Sequence, residues 1–271
     1  MKLRGDVTSG IVLPYTGFVR SLYYYREYLR QSVARDLRKK YKRTTLGYFW
    51  SMLNPILMML VLTIVFSSLL PRREDYMLYL FSALLAWQYF AQTVNESLDS
   101  IKSNLKIIQQ VPIPKYMFAI SIALSNVINF LLSLVALVLV SIVIGRPLPL
   151  TTLLLPIMFI PLFLMTISFS LLFAAGNVFF EDVKHLTRVM LSAWYFLTPV
   201  LYGPDMMPEK KKFWLQLNPL FHPVNFMREI IYQGQVPDWG IYCMTVAFGF
   251  LLLGVSLHCF RKADDKFLYF I

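Results

Sequence analysis

LRKKYKRTTLGYFWSMLNPILMMLVLTIVFSSLL, Leu37 to Leu70, decides how the rest of the chain is read. It opens as a dense cationic run of Arg38, Lys39, Lys40, Lys42 and Arg43. From Phe49 to Leu69 no side chain is ionisable. About 20 such residues cross a hydrocarbon core as a helix. Cations packed against the start of a span stay on the cytoplasmic face. The stretch therefore predicts a membrane protein with its N-terminal segment inside the cell.

Composition agrees. Of 271 residues, 57% are hydrophobic and 15% charged; soluble domains carry about 25% charged residues. The net charge of +11 raises nucleic acid as a partner class. The charges lie between apolar spans, however, so topology and anionic headgroups account for them and no nucleic acid is expected. The first 45 residues lack an early apolar core with a small-residue cleavage site, so no cleavable signal peptide is expected. Cys243 and Cys259 read as small hydrophobes on the last apolar segment, not as a disulfide or metal pair.

In chain order, residues 1–19 form a tail with Gly5, Gly10, Pro14 and Gly17. From Arg20 to Arg43, Leu22, Tyr25, Leu29, Val33, Leu37 and Tyr41 recur at helical spacing between basic residues. This predicts an amphipathic helix within 20–47, either lying in the cytoplasmic interface or solvated and packed on a partner. Six transmembrane helices follow within 48–260: Phe49–Leu69, Tyr76–Val94, Tyr116–Ile144, Leu148–Phe180, Val189–Tyr202 and Ile241–Phe260. The third and fourth exceed the minimum length, so tilt or buried ends are expected. Pro156 and Pro161 are expected to kink the fourth, and the fifth is unusually short. The 95–115 segment repeats Leu98, Ile101, Leu105 and Ile108 at helical spacing and stops at Pro112 and Pro114. Glu181–Arg188 reads as a charged loop and 261–271 as a tail. Most of the 26 Lys and Arg residues fall in the N-terminal segment, 95–115, 181–188 and the C-terminal tail. That bias places both termini in the cytoplasm. The link 203–239 is too apolar for a solvated loop. It reads as two short helical pieces broken at Asn218-Pro219 and His222-Pro223, which makes it a re-entrant or gating element.

The expected spans hold almost no Asp, Glu, Lys or Arg. Ion-coupled carriers need such groups inside the membrane, so energy for uphill transport has to come from outside the chain. Gly5…Gly10 and Gly249…Gly254 have phosphate-loop spacing but lack the following Lys-Ser/Thr, so neither is a nucleotide site. No metal site is expected. His185 and His222 fall on opposite sides of the predicted membrane. What remains is aromatic: Tyr48, Phe49 and Trp50 open the first span, Trp87, Tyr89 and Phe90 lie in the second, and Trp194, Tyr195 and Phe196 in the fifth. Either these line a path on which sugar rings stack, or they are ordinary helix packing. Arg228 and Glu229 are either a structural pair or a pore-mouth pair.

Three blocks carry a resemblance: LRKKYKRTTLGYFWSMLNPILMMLVLTIVF (37–66), SLDSIKSNLKIIQQVPIPKYMF (97–118), and FEDVKHLTRVMLSAWYFLTPVLYGPDMMPE…LNPLFHPVNFMREIIYQG (180–234). In order and spacing they resemble the permease subunit of ATP-binding-cassette polysaccharide exporters, the type 2 exporter family. Gln109-Gln110-Val111-Pro112 departs from the Lys-aromatic-Pro of many relatives. The resemblance implies an all-α integral protein of the bacterial inner membrane, working as a homodimer with two separate ATPase subunits that hold the ATP and Mg²⁺. The cargo it implies is an undecaprenyl-linked glycan. O-antigen, capsule and teichoic acid exporters share these blocks, and the basic N-terminus and short first outer loop favour O-antigen. The first, second and fifth spans would line the path. Glu96, Asp99, Lys102, Leu105 and Lys106 would couple to the ATPases, and Asn218, Pro219, Arg228 and Glu229 would belong to the outer gate. The competing reading is a membrane glycosyl- or acyl-transferase, for which Glu181-Asp182 with His185 is the nearest carboxylate–histidine cluster. A passive channel or ion-driven carrier is a third, weakened by the uncharged spans.

Overall fold

A computed structural model describes residues 17–67, 75–264 and 266–270. Most of the expected N-terminal tail, and Ser68–Glu74 with Arg72 and Arg73, lie outside the described residues. Among the described residues the chain is helices and turns, with no strand. The helices are α1 (Gly17–Tyr24), α2 (Arg26–Tyr41), α3 (Trp50–Phe66), α4 (Tyr76–Ser97), α5 (Leu105–Gln110), α6 (Tyr116–Ile144), α7 (Leu155–Phe179), α8 (Asp182–Leu197), α9 (Glu209–Gln216), α10 (Phe221–Arg228), α11 (Trp239–Asp264) and α12 (Phe267–Phe270).

Among the described residues, four segments are long and apolar enough to cross a membrane: Gly47–Phe66, Tyr116–Ile144, Leu150–Phe179 and Trp239–Asp264. The helices of the expected second and fifth spans are not among them. α8 is too short, and α4 is diluted by Tyr, Trp, Gln88 and Gln92. Yet α4 is the centre of the bundle. It packs on α3, α6, α7, α8 and α10, and Leu78 through Trp87 are all buried. A helix covered by protein over most of its surface needs little lipid-facing apolar surface, and its polar atoms are tolerated.

Two prolines sit inside long helices, and each leaves the carbonyl four residues back without its N–H donor. For Pro55 in α3 that is Ser51, whose carbonyl accepts the Ser133 hydroxyl of α6 at 3.0 Å. For Pro161 in α7 it is Ile157, whose carbonyl accepts the Tyr242 hydroxyl of α11 at 2.9 Å. The freed acceptors thus fasten neighbouring helices together, as buried backbone requires. Gly249 of α11 has the same adhesive role: a Cβ there would lie 3.1 Å from Leu164 Cβ of α7.

Contacts sort the connecting segments into two ends. At the basic end, Tyr25 donates to Pro112 O (3.1 Å), Lys102 pairs with Glu181 (3.2 Å), Lys184 with Asp99, and Lys115 with Asp264 (3.0 Å). At the opposite end, Asp75 pairs with Arg146 (2.8 Å), Arg146 donates to Tyr232 O (3.3 Å), and Tyr76 donates to Leu201 O (3.0 Å). α2 packs on the first half of α6, with Tyr28 against Phe118 and the Tyr41 hydroxyl on Asn129 Oδ1 at 2.8 Å. The extra length of α6 is therefore a buried end. Its exposed residues begin at Ile128 and recur at Leu131, Val135, Val138, Leu139, Ile142 and Val143.

Several expected boundaries change. Glu181–Arg188 is not a loop: α8 begins at Asp182, an acidic residue in the first turn where the helix dipole favours it. The helix ends at Leu197, because Thr198 precedes Pro199 and is extended. The 95–115 segment is not one helix. α4 runs on to Ser97, and a 3₁₀ turn over Lys102–Asn104 separates it from α5. The N-terminal helix divides at Tyr25, whose ψ of 16° leaves the helical range. Asn218-Pro219 does break the outer link, but His222-Pro223 does not. Pro223 falls in the first turn of α10, where its missing N–H has no helical partner to lose. The C-terminal segment is no free tail, since α11 continues to Asp264 and Phe267 is buried against Phe179 and Phe260.

Candidate functional site: a two-part cleft along α4

One face of α4 opens on a cleft with two compartments that share Trp87, Gln88, Ala91 and Asn95. The first is an apolar groove of about 720 Å³ between α3 and α8, walled by Met58, Leu62 and Phe66 opposite Leu191, Tyr195 and Phe196, with Arg188 at its basic end. The second is a polar chamber of about 460 Å³ enclosed by α2, α3, α4 and α6. Gln88, Gln92 and Asn95, spaced four and three apart, share one face of α4. They meet Asn126, Asn129 and Ser133 of α6, spaced three and four apart, across the chamber.

The chamber wall is fixed by a network around Glu96. Its carboxylate accepts from Lys40 Nζ (2.9 Å), Gln92 Nε2 (2.9 Å) and Asn126 Nδ2 (2.8 Å). Asn126 Oδ1 in turn accepts from Lys40 (3.3 Å) and Asn129 Nδ2 (2.9 Å). Burial, chiefly, raises the Tyr41 hydroxyl above its ordinary value, so it stays a neutral donor to Asn129.

The nine expected aromatics divide by surroundings. Trp50, Trp87 and Tyr89 line the chamber; Trp87, Tyr195 and Phe196 line the groove. Phe90 and Trp194 sit in the core against Phe169. Tyr48 and Phe49 are exposed beside the start of α3, with Tyr48 against Tyr41.

At the opposite end the expected gate residues are tied to α8. Asn218 accepts Trp194 Nε1–H at 2.9 Å, donates to Thr198 Oγ1 at 2.9 Å, and accepts Leu220 N–H at 3.0 Å. Pro219 follows it in the turn before α10. Arg228 is 1% exposed, donates to the carbonyls of Pro199 (2.7 Å) and Val200 (3.0 Å), and lies 4.1 Å over the Tyr79 ring. Glu229 takes a different partner, Asn225, and burial raises its carboxyl above the ordinary range. Glu229–Gln233 is a π-helical turn closed by Gly234 at φ +69°. Its Ile230 carbonyl is held by Thr151 (2.7 Å) and Thr152 (3.3 Å).

The model of ABC-2 type transporters matches residues 27–232, which take in both compartments and this outer cluster. The chain belongs to the ABC-2 type transporter family. It is 28% identical over 252 residues to an O-antigen export system permease protein of Myxococcus xanthus, covering 92% of this chain and 97% of that protein. It is 29% identical over 235 residues to an O-antigen export system permease protein of Klebsiella pneumoniae, covering 86% and 90%. A polysialic acid transport protein of Escherichia coli is 21% identical over 238 residues, covering 86% and 92%.

In this transporter chain the expected coupling residues are unequal. Glu96 holds the chamber wall. Asp99 accepts from Lys184 and from Asn177 Nδ2 (3.3 Å), and Lys102 pairs with Glu181. Leu105 is half-buried, and Lys106, with Gln109 and Gln110, is exposed. Reversing Glu96 and Asp99 would break contacts within the chain, so Lys106 is the cleaner probe of a partner surface. The chamber amides were missed from the sequence. Their signal was available: Gln88, Gln92 and Asn95, and Asn126, Asn129 and Ser133, recur at helical spacing inside apolar stretches.

Proposed function

We propose that this chain is the membrane permease of an ATP-driven exporter that moves an undecaprenyl-linked polysaccharide, an O-antigen, from the cytoplasm to the outer face of the bacterial inner membrane. The observation that carries this reading is the cleft of α3, α4 and α8, walled by aromatic and amide side chains. Aromatic faces stack on sugar rings, and amides answer hydroxyls as donor and acceptor. The named activities of the relatives from M. xanthus and K. pneumoniae support the same cargo.

In this reading α3, α4, α6, α7, α8 and α11 are six crossings, and the basic end is cytoplasmic with both termini. The layer of Lys40, Glu96 and Asn126 then marks the inner interface, in keeping with the onset of α6 exposure at Ile128. The exposed cations of α2 and the α5 surface receive two ATPase subunits, which hold ATP and Mg²⁺. A second copy of the chain closes the groove, and Asn218, Pro219, Arg228 and Glu229 belong to the outer gate. Mild-detergent purification of the tagged protein from its native cell tests the assembly. A stoichiometric ATPase subunit, two per permease dimer, is expected. A preparation free of ATPase in several detergents would overturn the reading.

A further inference from the structure

The polar chamber carries more than a path requires. Its wall holds one cation, Lys40, and Glu96 neutralises it at 2.9 Å. An anionic ligand would meet no uncompensated positive charge there. An acyl chain would gain nothing from the facing amides. Asn95 Oδ1 and the Tyr89 hydroxyl are buried without a partner, and the Asn54 and Gln88 side chains also line the chamber. Buried polar atoms left without partners in a native structure call for an explanation, a bound ligand or water among them. Trp50 and Trp87 flank these groups, and 460 Å³ lies within the range of about 300–1,000 Å³ typical of small-ligand sites.

We infer that the chamber is a recognition subsite for uncharged sugar units of the exported glycan. Gln88 and Asn95 read hydroxyls there, and Trp87 is the stacking platform. The inference rests on the exporter reading above. Uncharged sugars fit because each hydroxyl both donates and accepts, which suits facing amides, while the C–H face of the ring suits indole.

The test replaces the chromosomal gene with a Gln88→Leu/Asn95→Leu variant in the native cell. Surface glycan is measured per permease in the membrane, with ATPase co-purification as the control for assembly. A fall of about tenfold in surface glycan is expected from losing two such hydrogen-bonding groups, with Gln88→Asn/Asn95→Gln recovering part of it. Should the leucine variant not accumulate, a photoreactive phenylalanine analogue at position 88 reads the same contact. It should cross-link glycan to the permease, whereas the same probe at the exposed position 64 on α3 should not. Wild-type export by the leucine variant, or no glycan captured at position 88 in cells that export, would overturn the subsite and leave the exporter reading standing. No surface glycan dependent on the wild-type gene would overturn the exporter reading itself.

Discussion

The two ends of the bundle are held by different chemistry. At the basic end most clasps are ion pairs between side chains, and two of them keep much of their exposure: Glu181, facing Lys102, is 91% exposed, and Lys184 meets a half-exposed Asp99. Lys115, by contrast, is largely covered and also donates to the Asp264 carbonyl. At the opposite end, beside the Arg146–Asp75 pair, most clasps reach into backbone: Arg228 on the carbonyls after α8, and Thr151 and Thr152 on the carbonyl of Ile230 in the π turn. Exposed pairs contribute under about 1 kcal/mol each and weaken with salt. A buried charged donor on two carbonyls is worth several times that, since removing it leaves acceptors without donors. The basic end can therefore exchange partners at little cost, while the opposite end keeps one arrangement. That contrast suits the exporter proposed above, in which ATPase subunits dock at one end and a gate lies at the other.

The contrast can be broken by substitution. Arg228→Leu should have the largest effect, a loss of about 3 kcal/mol or more, read as a lowered thermal midpoint in detergent; an unchanged midpoint would remove Arg228 as the principal clasp. Arg228→Lys should recover little, because an ammonium lacks the planar fork that meets two carbonyls. Thr151→Val should cost about 1 kcal/mol, since Thr152 still reaches the Ile230 carbonyl. Lys102→Ala should stay under about 1 kcal/mol and vanish in high salt; a larger cost would mean that the two ends are built alike. Lys106→Glu should leave the thermal midpoint unmoved while lowering glycan-stimulated ATP hydrolysis of the assembled transporter. Normal coupling in that variant would take α5 out of the docking surface.

Sequence pattern located the helices best where an apolar run is uninterrupted and bounded by Pro or Gly. α6 begins at Tyr116 and ends at Ile144, as its apolar run predicts, because Pro112 and Pro114 precede it and Gly145, at φ +79°, closes it. Pattern served less well where protein is the neighbour. α8 carries Asp182, Lys184 and Arg188 in its first two turns, and those charges disguised it as a loop. Lys184 turns out to be answered by Asp99, a pairing between distant segments that composition cannot announce. α4 is legible as a helix, but its low apolarity reflects a place at the centre of the bundle, with Gln88, Gln92 and Asn95 on the cleft face. The aromatics were legible as a set, while their division between cleft and core, with Trp87 on the cleft and Trp194 bonded to Asn218, depends on helix rotation fixed by packing. The chamber amides were legible one helix at a time and invisible as a pair of faces, because α4 and α6 meet through tertiary contact.

The central claim is that the chain carries a lipid-linked glycan across the inner membrane. Deleting its gene in the native cell and assaying surface glycan together with the lipid-linked pool tests this directly. Loss of the surface glycan, with undecaprenyl-linked chains accumulating on the cytoplasmic side and both restored by the intact gene, is the predicted result. Normal surface glycan, or loss of the glycan with no accumulated lipid-linked chains, would contradict it.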